Sequence, residues 1–183
     1  MRHTGTVPLQ TDRLLLRPFT LDDCQAAFDC WFGDERVMDW MREKPHRNWT
    51  VTAELLALWQ QQSESNPRFY CWAIQRRGDG ALLGCISLAP AEDRDLWEPG
   101  FCLGVEYQGR GYAAEALRAV CRHWFCQVEG QLLSACHMEG NAPSARVLEK
   151  AGFRHTHNGI QHRFDGTPVN CRFYLLKKEN FVL

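Results

Sequence analysis

The stretch Gln108-Gly109-Arg110-Gly111-Tyr112-Ala113 decides how this chain is read. An apolar run, Phe101-Cys102-Leu103-Gly104-Val105, precedes it. A helix pattern follows, with apolar residues at Ala113, Leu117, Val120 and Trp124 and with Arg118 and Arg122 on other faces. A strand, a glycine-rich turn and a helix start, in that order, make an anion site. Glycines let the backbone turn tightly and present unpaired N–H groups, and the helix dipole adds positive potential. A phosphate or pyrophosphate is the natural guest. The spacing matches neither G-x-x-x-x-G-K-[ST] nor G-x-G-x-x-G, since no third glycine follows.

Working outward, Asn141-Ala142-Pro143-Ser144-Ala145-Arg146-Val147-Leu148-Glu149-Lys150-Ala151-Gly152-Phe153 reads as a short capped helix. Asn141 suits the cap, Pro143 the first turn, and Gly152 the left-handed position after the last turn. Strands are expected at 12–19, 69–76, 81–89, 97–104, 132–138, 153–160 and 169–177. Helices are expected from Thr20 to about Phe32, at 50–62, 111–127 and 142–151. Thr20-Leu21-Asp22-Asp23 opens the first as a capping box, and Arg77-Gly78-Asp79-Gly80 and Asp165-Gly166 supply turns. Strands mixed with helices without strict alternation predict a three-layer mixed α/β fold.

Composition narrows the class. With 183 residues, 45% of them hydrophobic, the chain is expected to form one domain with a core over about 11–177. A net charge of −1 gives no basic field for nucleic acid or an acidic membrane. No apolar run reaches membrane-spanning length, and the N-terminus lacks the apolar region of a secretory signal. Nine cysteines occur singly, without a C-x-x-C pair, so reduced thiols in a cytoplasmic protein are expected. His155, His157 and His162 read as polar residues on a late strand, and no metal site is expected.

The order Q-x-x-G-x-A after an apolar strand resembles the acyl-CoA loop of the GNAT superfamily of N-acyltransferases. The segment from Asn141 to Phe153 is similar to that superfamily's later N-x-x-S-x-x-V-x-x-K-x-G-F. Thr11-Asp12-Arg13-Leu14-Leu15-Leu16-Arg17-Pro18-Phe19-Thr20-Leu21-Asp22-Asp23, the run from Val37 to His46, and Trp72 through Leu88 resemble the RimJ/RimL-like branch, which acetylates ribosomal-protein N-termini. The resemblance covers nearly the whole chain. It implies a centrally splayed β-sheet with helices on both faces and acetyl-CoA as co-substrate. The acceptor it implies is an amine, on a protein N-terminus or a small molecule.

Residue by residue, the resemblance places the cofactor at Gln108, Gly109, Arg110, Gly111, Tyr112 and Ala113. Backbone groups of Leu103, Gly104 and Val105 would pair with the pantetheine arm, and Asn141, Arg146 and Lys150 lie on the second motif. Each of Arg110, Arg146 and Lys150 suits a solvated helix face equally well. Glu98 is the candidate general base, because a glutamate often precedes the G-[YF]-x-L of this strand in the branch. Pro99 beside it is unusual, since proline removes a ladder donor. Many relatives protonate the leaving thiolate with a tyrosine seven residues after the asparagine. Leu148 stands there, which leaves Ser144 as the candidate donor.

Cys102 lacks a neighbouring base or cation, so direct transfer is expected rather than an acyl-enzyme. Trp31, Phe32, Trp40, Met41 and Trp49 are candidates for the acceptor pocket or for core. Glu92, Asp93 and Asp95 with Glu98 would suit a cationic small molecule. Loss of the tyrosine and the presence of Pro99 also leave open a non-catalytic acyl-CoA-binding domain. Whether the chain is a monomer or a homodimer is open.

Overall fold

The computed structural model describes residues 1–91 and 96–182. A five-stranded antiparallel sheet runs in the order β1 (Leu9–Gln10), β2 (Leu14–Arg17), β3 (Tyr70–Arg76), β4 (Leu82–Pro90), β5 (Trp97–Leu103). A second sheet has the order β6 (Leu132–Met138), β8 (Pro168–Lys177), β7 (Arg154–His162), also antiparallel. No ladder joins β5 to β6, so the outer edge of β5 opens onto a split between the two sheets. This is the splayed, three-layer architecture expected from the sequence.

Helices cover both faces. On one lie α1 (Cys24–Ala27), α2 (Glu35–Met38) and α3 (Trp49–Ser65); on the other lie α4 (Tyr112–Cys126) and α5 (Ala142–Lys150). The strands between them alternate accordingly. In β3, Trp72 and Ile74 join the core under α4, whereas Cys71 and Ala73 join the core under α1–α3. A strand buried on both faces reads as a continuous apolar run, as β3 does from Tyr70 to Ile74.

Local chemistry sets the boundaries. Asn48 Oδ1 accepts from Thr50 N at 3.0 Å to start α3, and Asn141 Oδ1 accepts from Ser144 N at 3.1 Å to start α5. Gly152, at φ +96°, takes the left-handed position after α5. The segment expected as one helix from Thr20 to Phe32 is more varied. A 3₁₀ turn at Leu21–Asp23 leads into α1, and a π turn follows over Phe28–Phe32. A π turn widens the helix locally and re-aims its side chains. Here Trp31 is fully buried in the core, and Phe32 lies at the edge of the cleft described next. The short β1, paired with β2, has no counterpart in the sequence reading.

Candidate active site

One continuous cleft of about 620 Å³ passes through the split between the sheets. At one end stands the glycine loop. Gly109 and Gly111 have φ of +74° and +83°, conformations that side chains rarely adopt. Gly111 is the cap of α4 and has no side chain to satisfy the first-turn N–H groups, so these remain available to an anion. Gln108, Gly109, Gly111, Tyr112 and Ala113 line the cleft, and from α5 so do Asn141, Ser144, Arg146 and Lys150. The structure thus brings together two motifs that lie some thirty residues apart in the chain.

Gly104, Val105 and Arg110 are not among the residues that line the cleft. Val105 begins a 3₁₀ turn and is exposed. Gly104 packs instead against Cys30, where a Cβ would come within 2.2 Å of Sγ. Arg110 is exposed, and its carbonyl accepts from Arg13 Nη1 at 3.2 Å.

That bond belongs to a clamp that no local sequence signal announces. Arg13 Nε donates to Glu115 Oε2 at 2.7 Å, Arg13 N to Glu115 Oε1 at 3.0 Å, and Thr11 Oγ1 to the same Oε1 at 2.6 Å. The Arg13 guanidinium also lies over the Tyr112 ring, 4.5 Å from its centroid. The turn before β2 therefore fixes the glycine loop from behind. Burial pushes the Glu115 carboxyl up, but Thr11 and the amide and guanidinium of Arg13 outweigh it and hold the carboxyl below its usual range.

In the middle of the cleft, the register of β5 explains how Pro99 is tolerated. Gly104 N donates to Leu83 O at 2.9 Å, and Ala91 N donates to Leu96 O at 2.8 Å. These two bonds, at opposite ends of the β4–β5 ladder, have the same phase. Residues 98, 100 and 102 therefore bond to β4, while 99, 101 and 103 turn their backbone groups to the split. The donor that proline lacks is one the ladder never uses. Glu98 stays in register opposite Ala89 and lines the cleft.

The outward phase gives Phe101 and Leu103 as the residues whose backbone faces the split. Gln108 Nε2 donates to Leu103 O at 3.0 Å, so the glutamine of the motif ties the loop to the strand. Across the split, the Cys136 thiol of β6 is pushed up by its contact with the Cys171 thiol, by burial and by the charge of Glu98. This places the Glu98 carboxylate beside β6, at the crossing of the two sheets. Leu148, where relatives carry tyrosine, is buried in the core, whereas Ser144 lines the cleft.

At the far end the walls are apolar and come from distant segments. Phe32, Val37, Met38, Trp40, Met41 and Trp59 contribute from the helical layer. Trp31 is core and Trp49 is exposed on the first turn of α3, so neither joins them. Glu92, Asp93 and Asp95 lie outside the described residues.

The tip of the β7–β8 hairpin, which the sequence reading did not connect to the site, closes this end. Arg42 Nε donates to His162 O at 2.8 Å, Arg163 Nη1 to Met41 O at 2.9 Å, and Phe164 N to Arg42 O at 3.0 Å. Lys44 Nζ and Asp165 Oδ2 pair at 2.9 Å beside them. These contacts span about 120 residues of sequence, as Arg42–His162 shows, which is why periodicity could not reveal them.

The Cys102 thiol is held un-ionised by its environment. Cys102 lies opposite Cys85 on β4, with the sulfurs 3.5 Å apart, and the hydrogen bond with Cys85 and burial push its thiol well up. Among the described residues no group of three His, Cys, Asp or Glu side chains could hold a metal ion, and no helix is long and apolar enough to cross a membrane.

Comparison with known proteins agrees with this geometry. The family model described as Acetyltransferase (GNAT) domain matches residues 13–154. The chain is 29% identical over 177 residues to the uncharacterized N-acetyltransferase YoaA of Bacillus subtilis, covering 93% of this chain and 96% of the relative. Among solved structures, an acetyltransferase (GNAT family) from Bacillus anthracis superposes with a TM-score of 0.81 at 23% identity, over 94% of this chain and 99% of that one. A ribosomal-protein-S5-alanine acetyltransferase from Vibrio fischeri gives 0.78 at 15% identity, over 97% and 100%. At these identities the two structures speak for the fold.

Proposed function

Because this chain belongs to the GNAT family of acetyltransferases, we propose that it transfers acetyl from acetyl-CoA to the α-amine of a protein N-terminus, as a RimJ/RimL-like cytoplasmic enzyme. One observation carries the reading. A single cleft joins a glycine loop at a helix start, a strand edge outside any ladder, a carboxylate and an apolar end. These are the four things that attack of an amine on a thioester needs.

Each residue then has a task. The first-turn amides of α4 and the loop 108–113 hold the pyrophosphate, with Arg146 and Lys150 adding charge. The outward backbone of Phe101 and Leu103 pairs with the pantetheine arm and donates to the developing oxyanion. Glu98 takes the proton of the amine, directly or through water. An α-amine with a pKa of about 7.7–8.0 is partly neutral already and makes a modest demand on this base; a lysine at about 10.4 makes a larger one. Ser144 offers a hydroxyl toward the departing thiolate.

Direct attack in a ternary complex fits the inert Cys102. The second reading, a small polycationic amine, finds less support. Among the described residues the carboxylates lining the cleft are Glu43 and Glu98, set against Arg36 and Arg42. The deciding experiment mixes the protein and acetyl-CoA with N-terminal peptides, polyamines and aminoglycosides, and follows thiol release and product mass. Acetylation of peptide α-amines is expected. Turnover confined to polycationic amines would replace this acceptor with the second reading.

A further inference from the structure

The cleft does not end at Glu98. It continues into a chamber between the five-stranded sheet and the helical layer, with Phe32, Met38 and Trp59 as walls and Cys71, Cys85 and Ser87 as floor. The register explains the room. Ala73, Cys85 and Cys102 form one row across β3, β4 and β5, and Cys71, Ser87 and Gly100 form the next. The pleat puts all six on the face under α1–α3, and none has a side chain larger than a thiol. The six residues named as walls and floor carry no charge, and the charged residues of the same cleft, Arg36, Arg42 and Glu43 beside Glu98, are not among them.

Ala89 and Glu98 make the row after that, on the same face. Glu98 thus stands one row, about 7 Å along the strand, from the Ser87–Gly100 row and two rows from Cys85. An amine held at Glu98 therefore has its own substituent, rather than its distant body, in reach of the chamber. A hydrogen or methyl there would leave the chamber unfilled, whereas a branched aliphatic or aromatic side chain extends toward the Ser87–Gly100 row.

Resting on the acetyltransferase reading above, we infer that the acceptor is a primary amine carrying a large apolar side chain on the carbon next to nitrogen. Residues of leucine, methionine or phenylalanine type have this chemistry, whether at a peptide N-terminus or in a free amine. The walls and floor select by excluding charge and by rewarding apolar contact.

The test measures kcat/KM with acetyl-CoA for tetrapeptides that differ only in the first residue: Gly, Ser, Ala, Lys, Met, Leu and Phe. Leucinamide and phenethylamine are run beside them to separate the peptide source from the small-molecule source. Leu, Met and Phe acceptors should exceed Gly and Ser by about tenfold or more. Ser87→Leu, which fills the floor, should invert that order. Equal rates across the series would overturn the inference while leaving an acetyltransferase in place. Failure to acetylate any amine would overturn the underlying reading instead. Hexanoyl-CoA outperforming acetyl-CoA on a glycine-start peptide would give the chamber to the acyl chain and also overturn the inference.

Discussion

At one end of the cleft, the lining comes from one contiguous loop, through Gln108, Gly109, Gly111, Tyr112 and Ala113, and α5 adds a second contiguous motif. At the other end, the surface is assembled from α2, α3, β3, β4 and the β7–β8 hairpin, and side chains do the work. The contrast follows from what each end must recognise. A pyrophosphate is met by N–H groups, so the loop needs a fixed backbone path, which two glycines at positive φ encode locally. An amine and its substituent are met by shape and polarity, which any mixture of side chains can supply. The first end is consequently a motif and the second is a cavity.

The strongest way to break this division lies at its border, at Glu98. If the carboxylate accepts the amine proton, Glu98→Gln should lower kcat by about 10²–10⁴ and leave acetyl-CoA affinity unchanged. The defect should be largest below the pKa of the acceptor, where most amine is protonated. A loss that grows as pH rises would make Glu98 a structural residue of β5. The next largest effect belongs to the loop. Gly111 at φ +83° has room for a Cβ, since its nearest neighbour there is Arg13 Nη2 at 3.5 Å. The cost of Gly111→Val is therefore backbone strain, and acetyl-CoA affinity measured by calorimetry should fall by about tenfold to a hundredfold. Unchanged affinity in a folded variant would show that the loop is only a turn.

This asymmetry also decides what could be read from the sequence. The Asn141 cap, the Gly152 stop and the β3–β4 strands around the turn at 77–80 follow from short patterns, and the structure has them where those patterns fall. Phe101 stands for what a short pattern does not carry: the outward backbone phase is a property of the ladder, which gives it to Phe101 as well as to Leu103, while Val105, named with Leu103 by resemblance, stands past the strand in a 3₁₀ turn. Arg13–Glu115 and Arg163–Met41 were out of reach for another reason. Each joins segments roughly a hundred residues apart, and a charged residue in a turn looks alike whether or not it has a partner. Phe32 is a candidate for the pocket or for core on the sequence alone, and Met38 and Trp59 carry no signal there, because an apolar pattern does not separate a wall of a chamber from a core.

The Arg13–Glu115 clamp sharpens the comparison with a smaller effect. It makes the locally encoded loop depend on a distant turn, so Arg13→Ala should weaken acetyl-CoA binding by about fivefold, a modest figure because Arg13 is half exposed. The pH dependence has a definite sign. Glu115 has a carboxyl held low in the folded protein, so the clamp contributes fully above the ordinary carboxylate pKa. Its contribution is lost only as pH falls through the lowered value. Binding affinity should then show no step from this pair between about pH 5 and 8. A titration that steps within that range in the native protein, and not in Glu115→Gln, would contradict the assignment.

The smallest expected effect is none at all, at Cys102. Its sulfur sits in the apolar end next to Cys85, where the hydrogen bond between the thiols and burial both oppose ionisation. A nucleophilic thiol needs the reverse, a nearby cation or base that stabilises the thiolate. Arg146 and Lys150 line the cleft from α5, Arg42 Nε donates to His162 O, and the carboxylate of Glu98 would only raise a thiol further. Mixing the protein with acetyl-CoA alone should therefore give no acetylated Cys102 by mass spectrometry, and Cys102→Ala should keep turnover within about twofold. An adduct that forms and decays as fast as turnover would move the chemistry from the strand edge to the chamber floor. The sulfur-rich surface would then be a catalytic wall, and the inference drawn from its shape would lose its footing.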